Sequence, residues 1–162
     1  MQTRFREVCE AVFKFKDHKD KLVHKTVISL LPRMAEFNPE LFARNYRSTC
    51  MNHLLNALRK DHERGTAFVA VGEVARAIGQ EINPYLEAIV MTISMGLTPR
   101  RNQVGFEEPL ACLSMLVGAV ENALSPYLNE LLRTLLSVSQ SLTNCSPDVW
   151  SWVEPHAHQG TD

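Results

Sequence analysis

Four cysteines are the residues of this chain whose side chains could most directly act as nucleophiles. They are scattered and form no C-x-x-C pair: Cys9, Cys50, Cys112 and Cys145. A catalytic thiolate needs a histidine base within hydrogen-bond reach and a third group that orients the base. The sequence marks no such set, and Cys9 lies on the apolar stripe of a predicted helix. We therefore predict buried or unpaired thiols in a reducing compartment.

Histidines at two places raise the question of metal binding. His18 lies between Asp17 and Asp20, but the stretch DHKD is typical of a solvated turn between helices. His156 and His158 form the sequence HAH near the end of the chain, where weak affinity at most is expected. We therefore predict no metal site and no cofactor.

No two carboxyl groups are marked by the sequence as a general acid and a general base. The candidates are Asp61, Glu63 and Glu73. The motifs G-x-x-x-x-G-K-[ST], G-x-G-x-x-G and H-E-x-x-H do not occur in the sequence. The kinase motifs H-R-D-x-x-x-x-N and D-F-G do not occur either. The sequence therefore predicts a chain with no catalytic residues.

A basic cluster near the start is the strongest charge feature. Its members are Lys14, Lys16, Lys19, Lys21 and Lys25, and Asp17 and Asp20 interrupt it. One hypothesis is a surface for an acidic protein or a nucleic acid; the plainer interpretation, which we favour, is the solvated edge of a helix pair. Arg100 and Arg101, in the long loop at 97–108, are a smaller candidate of the same kind. The net charge of −1 gives no general attraction for nucleic acid.

The elements that must position these residues are revealed by a repeat. The phrase INPYLEAIV at 82–90 returns as LSPYLNELL at 124–132, after 42 residues. Apolar residues fall at i, i+3, i+4 and i+7 in both, which predicts amphipathic helices. The intervening segments at 68–79 and 110–121 repeat with the same spacing. A pair of helices repeated at about 40 residues is typical of HEAT and armadillo proteins.

Polar residues followed by proline are typical of helix starts, because proline is tolerated just after a cap. Asn38, Asn83 and Ser125 stand in such positions. We predict that each caps a helix, that Asp20 caps the second helix of the chain, and that Pro32 kinks that helix.

The repeat predicts an all-α superhelix, a HEAT/armadillo-like solenoid with about three helix pairs and the first helix of a fourth. The pairs are placed at 1–37, 38–80 and 83–122, and the fourth opens at 124–138. We expect residues 139–162 to form an aperiodic, disordered tail.

Several stretches in order resemble the N-terminal HEAT-repeat region of the target-of-rapamycin (TOR) family of Ser/Thr protein kinases, which are phosphatidylinositol-kinase-related. They are RFREVCEAVFKFKDHKD, VISLLPRMAEFNPELF, MNHLLNALRK and ERGTAFVAVGEVA. The resemblance runs from about residue 3 to about residue 136. It implies that the chain is a fragment of a solenoid that lies upstream of a kinase domain.

The resemblance also implies a function: a non-catalytic scaffold in nutrient and growth signalling that binds proteins, among them a raptor-type subunit and neighbouring solenoid repeats. The alternative is a stand-alone helical-repeat adaptor, or a repeat protein that binds nucleic acid through the basic cluster. No apolar run approaches the roughly 20 residues that span a bilayer, and no signal peptide is evident. We expect a cytoplasmic location, with the nucleus or endomembranes reached through partners. A fragment with two uncovered ends is also expected to self-associate.

Overall fold

The computed structural model of the chain describes residues 2–98 and 105–143, and within them helices alternate with short connections and no β-strand is present. The helices are α1 (Gln2–Lys14), α2 (Lys21–Phe37), α3 (Pro39–Asn45), α4 (Arg47–Ala57), α5 (Asp61–Ile78), α6 (Leu86–Leu97), α7 (Glu107–Val120) and α8 (Leu128–Thr143). Two 3₁₀ segments, Gly79–Tyr85 and Glu121–Tyr127, join α5 to α6 and α7 to α8. The all-α prediction is confirmed.

The helices are arranged in repeated pairs. One layer consists of α2, α5 and α7, with α5 packed between the other two. The remaining helices flank that layer: α1 contacts α2, α4 contacts α5, and α6 contacts both α7 and α8. The predicted stack of helix pairs is therefore confirmed. One difference is that the opening helix of the second pair is split at Tyr46 into α3 and α4.

Two of the four predicted caps are confirmed. The Asp20 side chain accepts a hydrogen bond from the Leu22 N–H, and the Asn38 side chain accepts one from the Leu41 N–H. The caps predicted at Asn83 and Ser125 are wrong, because both residues lie inside the 3₁₀ segments. A capping residue needs non-helical backbone, whereas Asn83 and Ser125 lie within 3₁₀ turns that lead directly into α6 and α8.

The 3₁₀ segments serve the core. Ile82 and Leu124, at the same position in the two segments, are both fully buried. Each segment therefore closes its helix pair with an apolar anchor.

An aromatic cluster fixes the first pair to the second. The ring of Tyr46 lies 6.2 Å from that of Phe5 and 5.8 Å from that of Phe13, both measured between centroids. Aromatic pairs at these separations add about 0.5–1.5 kcal/mol to the effect of burial. Tyr46, the residue between α3 and α4, thus packs its ring against two aromatic rings of α1.

The ends of the last helices bear on the predicted boundaries. α8 extends to Thr143, beyond the boundary predicted at residue 138. Residues 99–104 and 144–162 lie outside the described residues, so Arg100, Arg101, His156 and His158 and most of the predicted tail are not placed. In the described ranges, no helix is long and apolar enough to cross a membrane.

Candidate protein-interaction surfaces

The cysteines that could have been nucleophiles are packed into the core. Cys9, Cys50 and Cys112 are free thiols and fully buried. Burial raises the pKa of Cys9 to about 11 and that of Cys112 to about 12, and it raises the pKa of Cys50 as well. A thiol with a raised pKa is protonated at neutral pH and therefore a poor nucleophile. The prediction of buried thiols is confirmed for these three; Cys145 lies outside the described residues.

The DHKD turn uses its polar side chains to hold its own backbone. His18 Nδ1 accepts a hydrogen bond of 3.1 Å from the Asp20 N–H, and Asp20 Oδ1 accepts one of 2.7 Å from the Leu22 N–H. Among the residues that the structure describes, no three His, Cys, Asp or Glu side chains are grouped so that they could hold a metal ion.

The predicted basic cluster lies at the turn between α1 and α2. Lys16 pairs with Asp17 and lowers the pKa of that carboxyl group. The other four lysines are exposed and form no ion pair with any described residue: Lys14, Lys19, Lys21 and Lys25. Phe15 and Leu22 are exposed at the same turn. The structure therefore brings the lysines together at one end of the first helix pair.

Sequence reasoning missed the role of Glu63, which is only 1% exposed. Its Oε1 lies 2.9 Å from Nδ1 of His24 on α2, and its Oε2 lies 3.3 Å from Nζ of Lys60. Burial alone would raise the pKa of Glu63, but the hydrogen bond with His24 and the ion pair with Lys60 outweigh it and lower the pKa. An ionised carboxylate thus joins the first helix pair to the second. The available signal was that Glu63 precedes Ala67 by four residues on the buried stripe of α5.

A second, more open feature lies between α4 and α6. A groove of about 460 Å³ is floored by Phe68 of α5. Its walls are mostly apolar and include Leu55 of α4, Leu58 just after α4, and Met91 and Met95 of α6. Two further lining residues, Arg59 and Arg64, bring positive charge. Its size is within the range of ligand-binding clefts.

The two ends of the stack carry uncovered apolar side chains. Val90 of α6 is 1% exposed, whereas Leu132, at the same position of α8, is 55% exposed. Leu86 and Leu128 differ in the same direction. At the other end, apolar side chains are exposed along α1, α2 and the turn between them: Val8, Phe15, Leu22, Leu30 and Phe37. Positions that one layer buries beneath the next are therefore open in the last layer.

Comparison with known proteins places this architecture among repeat proteins. A family model for importin subunit beta-1-like TPR repeats matches residues 11–153. The chain is 34% identical over 163 residues to the serine/threonine-protein kinase TOR of Oryza sativa subsp. japonica, an alignment that covers 92% of this chain. It is 36% identical over 143 residues to the kinase of the same name from Arabidopsis thaliana, and 31% identical over 144 residues to tor1 of Schizosaccharomyces pombe. Each of these two alignments covers 88% of this chain.

The alignments cover only a small part of those kinases. The chain spans 7% of the rice protein and 6% of the other two. The resemblance that the motif blocks predicted is confirmed, and it concerns a helical-repeat portion of proteins that are far longer.

Proposed function

The chain belongs to the importin subunit beta-1-like family of TPR-repeat proteins, and from this premise we propose that it is a non-catalytic protein-interaction scaffold within a TOR-like Ser/Thr kinase. The single observation that carries the proposal is the contrast between Val90 and Leu132. Equivalent positions of one repeat are covered in the chain and uncovered at its end. A helical repeat buries its apolar face only by stacking on a neighbour.

The described residues support a role in binding rather than in catalysis. The three cysteines in the described residues are buried, and burial raises their pKa values. His24, whose ring nitrogen lies 2.9 Å from Glu63, is engaged in a contact between helix pairs. The exposed features are instead apolar faces and a basic turn, which are features of docking surfaces.

The relatives suggest the setting. They are named serine/threonine-protein kinases, so we propose that the kinase activity lies in another part of a longer polypeptide and that this segment contributes to growth and nutrient signalling by holding partners. A raptor-type subunit and neighbouring solenoid repeats are the proposed partners. The proposed location is the cytoplasm, with nuclear or endomembrane association through those partners.

The size of the native polypeptide tests this proposal directly. An antibody raised against residues 4–79 is applied to an extract of the source cells after denaturing electrophoresis. A single very large band is expected. A discrete band at the 18.3 kDa mass of the chain alone would instead indicate a stand-alone repeat adaptor.

A second experiment tests the absence of catalysis. The purified chain is incubated with ATP and a general protein substrate, and no phosphate transfer is expected. Any ATP-dependent phosphorylation that persists after further purification would overturn the non-catalytic assignment.

The four exposed lysines at the α1–α2 turn favour one alternative, a nucleic-acid-binding repeat. Binding through lysines would weaken steeply with salt, because counterions are released from the phosphates. Retention on immobilised RNA at low salt that is lost on replacing Lys19, Lys21 and Lys25 with glutamine would support this alternative. Retention of a raptor-type subunit that depends on the same lysines would support the scaffold.

A further inference from the structure

The groove between α4 and α6 would stay exposed even if further helix pairs stacked on the two ends of the chain. Met91 is 62% exposed and Met95 is 55% exposed. They lie on α6, which belongs to a middle layer: α7 and α8 pack against it, and α4 forms the opposite wall of the groove. Stacking of further helix pairs at either end of the chain would therefore leave these two methionines uncovered.

The repeat itself does not call for apolar residues at these positions. Because α6 and α8 begin 42 residues apart, Met91 corresponds to Arg133 and Met95 corresponds to Ser137. Arg133 and Ser137 are polar and exposed. The methionines are thus a property of α6 that α8 does not share, and the repeat does not require them.

The floor of the groove is shaped by a close approach of two helices. A Cβ atom on Gly96 would lie 2.9 Å from Cζ of Phe68, so the glycine allows the buried ring to form the base of the cleft. Methionine side chains are flexible and polarisable, and they adapt to different apolar groups. The groove can therefore accept one or two large apolar side chains.

The charge at the groove is of one sign. Arg59 and Arg64 line it, and among the described residues no carboxylate does. Arg64 is held in place, since its Nε donates to the Leu58 carbonyl oxygen at 3.0 Å and its Nη2 lies 2.7 Å from Asp61 Oδ1. The guanidinium of Arg59 is exposed and has no ion-pair partner among the described residues. A guanidinium so placed is suited to bidentate contact with a carboxylate.

We propose that this groove binds a short segment of a partner protein in which a large apolar residue stands close to an aspartate or glutamate. The apolar side chain fills the space between Met91, Met95 and Phe68, and the carboxylate pairs with Arg59. This proposal rests on the scaffold function and identifies one of its docking sites and the chemistry of the partner.

The experiment selects ligands without assuming their sequence. A displayed library of random 12-residue peptides is selected on the purified full chain and counter-selected on the double variant M91R/M95S. That variant carries the residues that α8 has at the same positions, so the helical repeat tolerates them. The peptides that are enriched are expected to share a large apolar residue beside an acidic one.

The affinity of one enriched peptide is then measured by fluorescence anisotropy. M91R/M95S and Arg59→Glu are each expected to weaken binding at least about tenfold, the loss typical of a central contact. The matched control, Arg133→Glu on α8, is expected to leave the affinity within about twofold. Arg59 is exposed, so Arg59→Glu keeps the test valid even if the double variant does not fold.

Three outcomes would overturn the proposal. The first is a selection that enriches no peptide, and the second is enrichment of peptides without acidic residues or with unchanged affinity for the variants. The third concerns the segment SPDVWSWVEP at 146–155, which carries the same combination of apolar and acidic residues. If the chain cut after residue 143 binds the peptide more than about tenfold tighter than the full chain, the groove belongs to this segment instead. None of these outcomes depends on the length of the native polypeptide, so failure here leaves the scaffold proposal standing.

Discussion

Gly79 and Glu121, 42 residues apart, adopt the same left-handed backbone conformation at the ends of α5 and α7. The φ and ψ angles are 58° and −133° at Gly79, and 46° and −118° at Glu121. In the described part of the chain, Glu121 is the only residue other than glycine with a positive φ. The repeat therefore includes a turn that suits glycine, and one copy of that turn holds a residue with a Cβ atom.

Glu121→Gly should stabilise the fold. A non-glycine residue in this region of φ/ψ space costs about 1–3 kcal/mol, and the greater freedom of glycine in the unfolded chain offsets up to about 1 kcal/mol of the gain. The free energy of unfolding in urea is expected to rise by about 0.5–2 kcal/mol. Gly79→Glu, the reverse change at the equivalent site, should lower it by about 1–3 kcal/mol. A loss of stability in Glu121→Gly would show that the side chain of Glu121 matters more than the strain.

The repeat also shows which features of the fold the sequence could predict and which it could not. Periodicity identified the helix pairs and their spacing, because the burial of an apolar stripe is a local pattern. The caps at Asn83 and Ser125 were wrong because a proline after a polar residue also fits a 3₁₀ turn, and the choice depends on how Ile82 and Leu124 reach the core. The His24–Glu63 contact joins residues 39 positions apart. No local pattern encodes such a contact, and the α4–α6 groove likewise depends on three helices meeting.

Gly72 on α5 should not tolerate a larger side chain. A Cβ atom there would lie 2.5 Å from Cε of Met115 and 3.2 Å from the Cα of Cys112, so α5 and α7 meet closely at this point. Gly72→Val is expected to lower the free energy of unfolding by about 1–3 kcal/mol through overpacking. The matched control is Gly118→Ala on α7, where a Cβ would meet nothing within 4 Å. That change should raise stability by about 0.5–1 kcal/mol. Equal effects of the two substitutions would contradict the close approach of α5 and α7.

The carboxylate of Glu63 should be essential to the junction between the first two helix pairs. Glu63→Gln keeps the shape but removes the charge that His24 and Lys60 face. Removing one partner of a buried ion pair costs about 3–5 kcal/mol, and an amide that keeps one hydrogen bond should cost less, about 2–3 kcal/mol. Urea unfolding at pH 7 measures this. Glu73→Gln is the control, because Glu73 is more exposed and its Oε1 lies 3.5 Å from Nη2 of Arg33. A similar loss in both variants would count against a special role for Glu63.

The stability of the chain should fall with acid in two stages. Burial lowers the pKa of His53, so as the pH drops below about 6.5 the unfolded chain takes up this proton first and stability declines. The pKa of Glu63 is lowered as well, so its contribution is complete above about pH 4.3 and is lost as the pH falls through its folded-state pKa. Urea unfolding between pH 8 and pH 3 should show both stages. His53→Gln should reduce the first stage and Glu63→Gln the second; a profile that neither variant changes would contradict the assignment.

The uncovered faces at the two ends should make the isolated chain associate head to tail. The face of α8, with Leu128, Leu132 and Leu136, is what one layer offers to the next, and the face of α1 and α2 is open at the opposite end. Two different faces that meet form a heterologous contact, which extends into chains instead of closing as a dimer. Sedimentation velocity should show species that grow with protein concentration.

Variants at the two ends distinguish this contact from a symmetric one. The pair Leu132→Gln and Leu136→Gln disables one end, and the pair Leu22→Gln and Leu30→Gln disables the other. Each double variant alone should be monomeric, because every heterologous contact needs one face of each kind. A mixture of the two variants should form a 1:1 dimer and stop there, since only one intact face remains on each chain. A symmetric contact through α8 would instead leave the α1–α2 variant dimeric by itself, and a wild-type chain that stays monomeric at all concentrations would show that neither face is adhesive.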